Sequence, residues 1–249
     1  MTRNLKAPAL VLKVNPVGEN HRGLSMLVSG EGILRPFAYG AQGKRSTLRG
    51  TAVPYNRGVA DLHYDGAKDR WRLTAFDPED SHDGLRENLD RFYAATTWAE
   101  ILLKTHGAGD DSASLFEMAA AFFSRLSVTV PSDIKRLSVG FMWQFLGIEG
   151  VQPDPEHCGR CGKPLIIGGE SGFARFLPNG LLAGPECAEG RGTELSDGAR
   201  RWLSALTGSG PEGALQIGLA PAAVTAAESW LLTIIQSLLE RPLRSIRVY

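Results

Sequence analysis

The sequence predicts a multidomain α+β protein in which a small β-barrel precedes a helical domain that holds a cysteine-containing insertion. Three observations predict this order. Apolar and polar residues alternate over residues 8–77, as in strands, and apolar residues recur at near-helical spacing after residue 83. Residues 150–194 are rich in Gly, Pro and Cys and show neither period. The resulting division of the chain is 1–80, 81–149, 150–194 and 195–249.

Five short apolar or alternating runs predict the strands of the first region. They lie at residues 9–14, 24–28, 33–39, 58–64 and 71–76. The Asp65-Gly66 step between the last two runs is typical of a hairpin turn. Five short strands within about 70 residues suit a Greek-key barrel of the OB type. An SH3-like barrel is the alternative, and the pattern alone does not separate the two.

Apolar stripes at helical spacing predict the helices. They lie at residues 85–102, 115–126, 134–145, 202–206 and 224–239. Ser81 and Asp83 are candidate N-caps for the first helix, and Pro131 is suited to the first turn of the third. We expect these stripes to form the core of the helical domain rather than a cofactor site. The acidic, Pro-containing segment 77–83 marks the boundary with the barrel.

The charge of the chain is unevenly distributed. Overall, 27 Lys and Arg balance 27 Asp and Glu. Residues 1–60 contain nine Lys or Arg against two acids, an excess of seven positive charges that the remaining residues must offset. A basic front on an acidic body predicts that one end of the chain binds a polyanion.

The basic stretch is GILRPFAYGAQGKRSTLRG, residues 32–50, and no Asp or Glu occurs from residue 32 to residue 60. Its cations repel one another unless an anion is near. Cations that track phosphates, interleaved with aromatic rings that stack on bases, are typical of a single-strand binder. The predicted phosphate contacts are Arg35, Lys44, Arg45 and Arg49, helped by Arg57, Arg3 and Lys6.

Two aromatic residues in the same stretch are candidates for base stacking. Tyr39 and Phe37 alternate along the predicted third strand. The alternative is that these rings fill the barrel core and that the basic residues form an ordinary solvated loop.

The insertion carries a candidate zinc site. Cys158-Gly-Arg-Cys161 has the spacing of a zinc knuckle, in which two thiolates on a tight turn face one ion. Cys187 follows in the frame of a second Cys-x-x-Cys whose first position is Gly184. The fourth donor is open between His157, Asp154, Glu186 and water. The alternatives are a site that no longer binds metal and, with less support, a redox pair.

Several other classes of protein lack sequence support. The GAQGKRST run fails as a phosphate-binding Walker motif, because Ala38 stands at its first Gly position and Arg45 at its Ser or Thr position. No apolar run reaches the roughly 20 residues that span a bilayer, and the N-terminus has no adequate signal-peptide region. We therefore expect a cytoplasmic protein with no membrane partner.

The chain resembles the RecO family of bacterial recombination mediators. The matching features are the GAQGKRSTLRG loop with the following Val53-Pro54-Tyr55, a strand-rich region of about 80 residues, a helical domain interrupted by Cys158-x-x-Cys161 and GLLAGPEC, and a RPLRS-like tail. The sequence departs from the family pattern at Gly184, where a four-cysteine member carries its third metal ligand. This departure concerns the metal and not the family.

The resemblance implies an N-terminal OB fold, one structural zinc ion and no enzymatic activity. It implies binding of single- and double-stranded DNA, annealing of complementary strands and partnership with RecR. It also implies contact with the C-terminal tail of single-strand DNA-binding protein, indirect help in loading RecA, and a nucleoid-associated location. A zinc-containing nuclease is the competing class, and an adaptor whose barrel binds protein is a third. Candidates for the tail-binding site are Lys135, Arg136, Phe141, Arg241 and Arg244.

Overall fold

The computed structural model describes residues 3–105, 111–165, 173–239 and 242–245. The chain forms two compact units, Met1–Val128 and Thr129–Tyr249. The mixed α+β class is confirmed, whereas the four-part division of the chain stays a prediction. No helix within the described ranges is long and apolar enough to cross a membrane.

A closed β-barrel occupies the first part of the first unit. Its elements are β1 (Arg3–Val17), β2 (His21–Val28), β3 (Gly32–Leu34), β4 (Phe37–Ala38), α1 (Leu48–Thr51), β5 (Arg57–Asp65) and β6 (Arg70–Asp80). The sheet order is β1-β5-β6-β4-β2-β3, and β1 also pairs with β2. Because β3 and β4 act as two halves of one strand, the barrel is five-stranded, which agrees with the OB type.

The predicted third strand, 33–39, is one strand in the sequence pattern and two in the structure. It is interrupted at Arg35 and Pro36, between β3 and β4. Pro36 has no N–H to donate to the ladder, which explains the interruption. The Asp65-Gly66 hairpin is confirmed, since β5 pairs antiparallel with β6 from Arg57 to Asp65.

The barrel core is built from the inward-facing residues of these strands. Its fully buried members include Ala9, Val11, Met26, Val28 and Ala60. Gly58 is required where β5 meets β6, because a Cβ there would lie 2.1 Å from the carbonyl oxygen of Asp77. The alternation that predicted the strands is therefore the alternation of core and surface positions.

The described part of the first unit continues with α2 (Gly84–Glu87), α3 (Leu89–Lys104) and α4 (Ser112–Val128). The first predicted stripe, 85–102, is split at Asn88, whose side chain caps α3 by accepting from the amides of Asp90 and Arg91. Leu89 is 59% exposed, so the expectation that the whole stripe is core is wrong at this end. The stripe of α4 is buried as predicted.

A buried histidine joins the end of the barrel to α4. The Nδ1 atom of His82 lies 2.6 Å from the carbonyl oxygen of Tyr55, and its Nε2 atom lies 2.9 Å from Ser124 Oγ. Burial lowers the pKa of His82 below its ordinary value, although Asp80 opposes this effect. Both His82 and Tyr55 have positive φ, 47° and 72°, a conformation that non-glycine residues adopt at a cost.

The second unit begins with the helix α5 (Pro131–Ile148), which starts at Pro131 as predicted. The elements that follow are β7 (Ala174–Phe176), β8 (Leu182–Ala183), α6 (Pro185–Ala188), β9 (Thr193–Leu195), α7 (Asp197–Leu206), α8 (Gly210–Gln216) and α9 (Pro221–Leu238). The three strands form one antiparallel sheet in the order β8-β7-β9. Strands of two or three residues are too short to show a period in the sequence, so neither the sheet nor α8 was predicted.

Candidate nucleic-acid interface and candidate metal centre

The basic loop, residues 40–47, leaves β4 and leads into α1. Lys44 and Arg45 are exposed in it, Arg49 is exposed on α1, and Arg35 is exposed at the break between β3 and β4. Within the described ranges, no Asp or Glu forms an ion pair with any of these four cations. The loop therefore presents positive charge that the described protein does not neutralise.

Two adjacent residues of β2 hold the two ends of the basic loop. At its start, the backbone amide of Gly40 donates to Nδ1 of His21 over 3.0 Å, and the Gln42 side chain donates to the His21 carbonyl over 2.8 Å. Beyond its end, the Arg22 guanidinium donates to the carbonyls of Arg49, at 3.0 Å, and Ala52, at 3.4 Å. Sequence reasoning missed these roles, because they depend on which strand the loop folds back against.

The three helper cations of the sequence analysis are already engaged by acids. Arg3 pairs with Glu31, Lys6 lies 3.9 Å from Asp61, and Arg57 lies 3.7 Å from Glu79. A DNA phosphate would have to compete with these carboxylates. Their contribution to a polyanion site would therefore be smaller than that of the basic loop.

Phe37 and Tyr39 lie on the outside of the barrel and not in its core. The residue between them, Ala38, is fully buried, so its neighbours point outward. Tyr39 is 37% exposed, and the two ring centroids are 5.2 Å apart. The ring of His21 packs edge-on against Tyr39 at 5.4 Å. The alternative that these aromatic rings fill the core is excluded.

Two further cations, which the sequence analysis did not select, cover these rings. The guanidinium of Arg70 lies 5.6 Å from the ring centroid of Phe37, and that of Arg72 lies 5.3 Å from the ring centroid of Tyr39. We call these four residues the aromatic strip. The signal available in the sequence was the alternation Arg70-Trp71-Arg72, which places both arginines on one face of a strand.

The second candidate site is a cluster of three cysteines in the second unit. The sulphur atoms of Cys158, Cys161 and Cys187 all lie within 4.8 Å of one another. Cys158 is buried, Cys187 is partly buried and Cys161 is exposed. A small apolar cluster surrounds the site, with Ala183 and Ala188 as its other buried members. The insertion thus has a modest core of its own, which its sequence period did not indicate.

Backbone amides favour the ionised form of one of the three sulphurs. The amide of Gly184 donates to the Cys158 sulphur over 3.4 Å. Burial opposes ionisation, yet this bond and the amides of Cys161 and Arg160 lower the pKa of Cys158 to about 6. Hydrogen bonds to Cys161 and Cys158 raise the pKa of Cys187 to about 11. The pKa values of the two thiols are thus moved in opposite directions.

The donor set fits a zinc ion. A zinc ion with Zn–S bonds of about 2.3 Å holds sulphurs about 3.8 Å apart, so the observed spacing needs only a small contraction. Thiolate ligands favour zinc over magnesium or calcium, and an amide bonded to one sulphur is typical support for such a site. Cys158, Cys161 and Cys187 would hold the ion.

The structure does not bring a fourth ligand to the three sulphurs within the residues it describes. His157 Nδ1 lies 2.8 Å from Asp154, so these two candidates contact each other. Glu186 is exposed and lies 3.7 Å from Lys163. Gly184 sits beside Cys158 and has no side chain. The ligand role of His157, and those of Asp154, Glu186 and water, stay predictions.

The residues expected to bind a protein tail are used inside the second unit. Arg136 donates to the Leu215 carbonyl over 2.7 Å, and Lys135 lies 3.5 Å from Glu228. Phe141 is fully buried, so its ring does not line a surface pocket. Arg241 lies outside the described residues, and Arg244 has contacts of its own. The expected pocket is therefore not formed by Phe141.

Comparison with known proteins decides the family. The family model described as the C terminal of recombination protein O matches residues 86–247, well over half of the chain. The chain belongs to the RecO family. The matched region begins in α2 and contains the cysteine cluster, whereas the barrel lies outside it.

Proteins named DNA repair protein RecO are similar to the chain over different lengths. That of Anaeromyxobacter sp. strain K is 27% identical over 250 residues, covering 98% of this chain and 94% of the relative. That of Synechococcus elongatus is 28% identical over 158 residues, covering 64% of this chain. The latter alignment spans 59% of the relative's own length. The name of these relatives refers to DNA repair and not to an enzymatic reaction.

Proposed function

We propose that the chain is a DNA-binding recombination mediator of the RecFOR type that acts in DNA repair. It binds single- and double-stranded DNA through the barrel, anneals complementary strands and, with RecR, helps to load RecA on DNA coated by single-strand DNA-binding protein. The observation that supports this proposal best is the set of exposed cations on the basic loop of an OB-type barrel, without described acidic partners, in a chain of the RecO family.

The geometry of the basic loop suits a phosphate backbone. Lys44 and Arg45 on the loop, and Arg35 and Arg49 beside it, are exposed. Exposed cations displace the condensed counterions of DNA when they meet phosphates. Both ends of the loop are hydrogen-bonded to β2 through His21 and Arg22. The loop therefore loses less conformational entropy when it binds DNA. Arg3, Lys6 and Arg57 play a secondary role, since each first has to leave a carboxylate.

The test of DNA binding is a salt titration with the double variant Lys44→Gln/Arg45→Gln. On single strands, removal of one cation that neutralises a phosphate lowers the magnitude of the log-salt slope by about 0.7, so we expect a fall of about 1.4. Arg191→Gln/Arg201→Gln removes two exposed charges from the second unit, one of them paired with Glu189, and serves as the control for the change in net charge. An unchanged slope and affinity in the loop variant would remove the basic loop from the DNA site.

Mediator activity is tested separately from binding. Labelled complementary strands coated with single-strand DNA-binding protein are mixed with the chain, with and without RecR. We expect annealed duplex from the parent and loss of annealing in Lys44→Gln/Arg45→Gln. Cut product in the presence of magnesium would favour the competing nuclease.

We further propose that Cys158, Cys161 and Cys187 hold one structural zinc ion. The support is their mutual distance of at most 4.8 Å and their thiolate-rich chemistry, which is typical of closed structural sites. Zinc supplies folding free energy to the insertion when bound and takes no part in DNA chemistry. Metal analysis of protein purified without chelator tests this role, and less than about a tenth of an equivalent would refute it.

A further inference from the structure

The aromatic strip differs from the basic loop in what it offers a nucleic acid. Phe37 and Tyr39 are flat rings on the outer surface of the barrel, 5.2 Å apart. The loop contains no aromatic residue between Gly40 and Thr47. Cations attract the phosphates of any nucleic acid, whereas exposed rings stack only on bases that have left a duplex.

The strip is built by β6, by β4 and by Tyr39, which directly follows β4. The parallel pairing of β4 with β6 places Phe37 opposite Arg72. Side chains two residues apart point to the same face, so Phe37 and Tyr39 form one row and Arg70 and Arg72 form the next. Each guanidinium covers the ring diagonal to it, at 5.6 Å for Phe37 and 5.3 Å for Tyr39. Rings and guanidinium planes thus alternate along one face.

The charge of the strip is not neutralised by the described protein. Both Arg70 and Arg72 are exposed, and neither forms an ion pair within the described ranges. Guanidinium groups stack on bases and also contact phosphates, so they can serve both parts of a single strand. His21 supports the strip from β2, since its ring packs on Tyr39 and its Nδ1 accepts from Gly40.

We propose that the aromatic strip is a base-stacking site that makes the barrel prefer single-stranded to double-stranded DNA. Phe37 and Tyr39 provide the stacking surface, and Arg70 and Arg72 extend it and contact the adjoining phosphates. This inference rests on the proposed DNA binding of the barrel. It assigns the discrimination between strand types to a surface separate from the basic loop.

The barrel contains a matched control for this surface. Tyr64 and Trp71 are also 5.3 Å apart, with the guanidinium of Arg3 5.9 Å from the Trp71 ring. There, however, Arg3 pairs with Glu31 and the Tyr64 hydroxyl donates to Asp69. This second group has similar rings but carries acidic partners, so it lacks the free charge of the strip.

The test compares Phe37→Leu/Tyr39→Leu with Tyr64→Leu on three probes of equal length: an oligothymidine strand, its duplex, and an abasic strand that keeps the phosphates. Stacking is worth about 1–3 kcal/mol per base, so we expect the strip variant to bind the oligothymidine about tenfold more weakly. Duplex affinity and the log-salt slope should stay as in the parent. The parent should prefer oligothymidine to the abasic strand, and the strip variant should not.

A second variant separates stacking from misfolding. Arg70→Gln/Arg72→Gln changes only exposed residues and should also lower single-strand affinity more than duplex affinity. Equal losses on single strand and duplex, or no loss, would overturn the strip proposal. Unchanged binding by Lys44→Gln/Arg45→Gln, together with weaker single-strand binding by the strip variant, would instead overturn the loop assignment and keep the strip.

Discussion

The basic loop and the cysteine cluster are opposite solutions to the same problem. Each is an irregular segment that contains Gly, and each gathers groups that repel one another when all of them are charged. The loop gathers cations, and the described protein supplies no acid for them. The cluster gathers thiols, and hydrogen bonds to Cys161 and Cys158 raise the pKa of Cys187 to about 11. The basic loop is therefore suited to bind an anion, and the cysteine cluster is suited to bind a cation.

The two regions differ in how much order they have without their ligand. The loop is tied by hydrogen bonds to His21 and Arg22, so the barrel itself fixes it. The described part of the insertion contains a small apolar cluster around Cys158 and strands of two or three residues. On the proposed assignments, DNA would bind a loop that is already ordered, whereas zinc would contribute to the folding of the insertion.

Loss of the metal should have the largest effect on the order of its own region, and it tests most directly whether the loop and the cluster are independent. Cys158→Ser removes the buried sulphur that accepts from Gly184. We expect zinc content to fall from about one equivalent to less than about a tenth, and the insertion to become sensitive to protease. Metal analysis and limited proteolysis measure both. DNA binding by the barrel should change less than about twofold, and a parallel loss of DNA affinity would contradict the separation of the two sites.

Gly184→Cys should sharpen the comparison by completing the thiolate set. Gly184 has φ −67° and ψ 167°, which any residue adopts. An added Cβ would lie 3.1 Å from Cδ2 of Leu165, the movable end of a side chain. We expect zinc to bind at least about tenfold more tightly, as measured by chelator competition. Gly184→Ala adds the same Cβ without a sulphur, and equal tightening by that variant would show that the thiolate is irrelevant.

The hydrogen bond from the Gly40 amide to His21, which orders the start of the basic loop, can be tested by substitution of His21. The expected effect on DNA affinity is smaller than the effects above. His21→Phe keeps a ring beside Tyr39 but removes the acceptor for the Gly40 amide, whereas His21→Asn keeps an acceptor near the Nδ1 position. We expect His21→Phe to lower single-strand affinity about fivefold, close to the 1 kcal/mol of one hydrogen bond. His21→Asn should stay near the parent.

Hydrogen exchange of the Gly40 amide measures the same hydrogen bond to His21 without DNA. Exchange should be faster in His21→Phe than in the parent and in His21→Asn, because only His21→Phe lacks the acceptor. If His21→Asn is the weaker binder and the faster exchanger, ring packing and not the hydrogen bond orders the loop.

The pH dependence of the first unit should give the smallest effect. His82 has a folded-state pKa below its ordinary 6.5, because burial disfavours the charged ring. A depressed histidine contributes stability that is complete above 6.5 and is lost as the pH falls below that value. The denaturation midpoint of the zinc-loaded chain should therefore fall on acidification below pH 6.5. His82→Asn, which tolerates the positive φ of 47°, should flatten that part of the profile.

The long periodic elements were predictable because their faces are either buried or exposed along their whole length. The stripes of α4 and α5 are buried as predicted, and the five barrel strands follow the alternation of the sequence. The break at Asn88, the N-cap of α3, was missed because the apolar residues before and after it keep a helical spacing across the break. The short sheet of the insertion was missed because its strands are shorter than one period.

The candidate sites were predictable where consecutive residues form them. The exposed cations Lys44 and Arg45 and the pair Cys158 and Cys161 are local in the chain, and the structure displays both sets as the sequence suggests. Arg70 and Arg72 were missed, because only the pairing of β4 with β6 brings them to Phe37 and Tyr39. The engagement of Arg3, Lys6 and Arg57 by acids was equally hidden, since their partners are distant in sequence.

The closure of the barrel has a mechanical consequence. β1 pairs with β2 and with β5, and β5 pairs with β6, over eight or nine residues each, whereas β4 pairs with β2 at two residues and with β6 at the single pair Phe37 and Arg72. The barrel thus has a seam, and local opening should begin there before it reaches the core strands. The aromatic strip straddles this seam. Bases stacked on residues of both strands would link β4 to β6. DNA binding would therefore stabilise the closed barrel, and closure of the barrel would favour DNA binding.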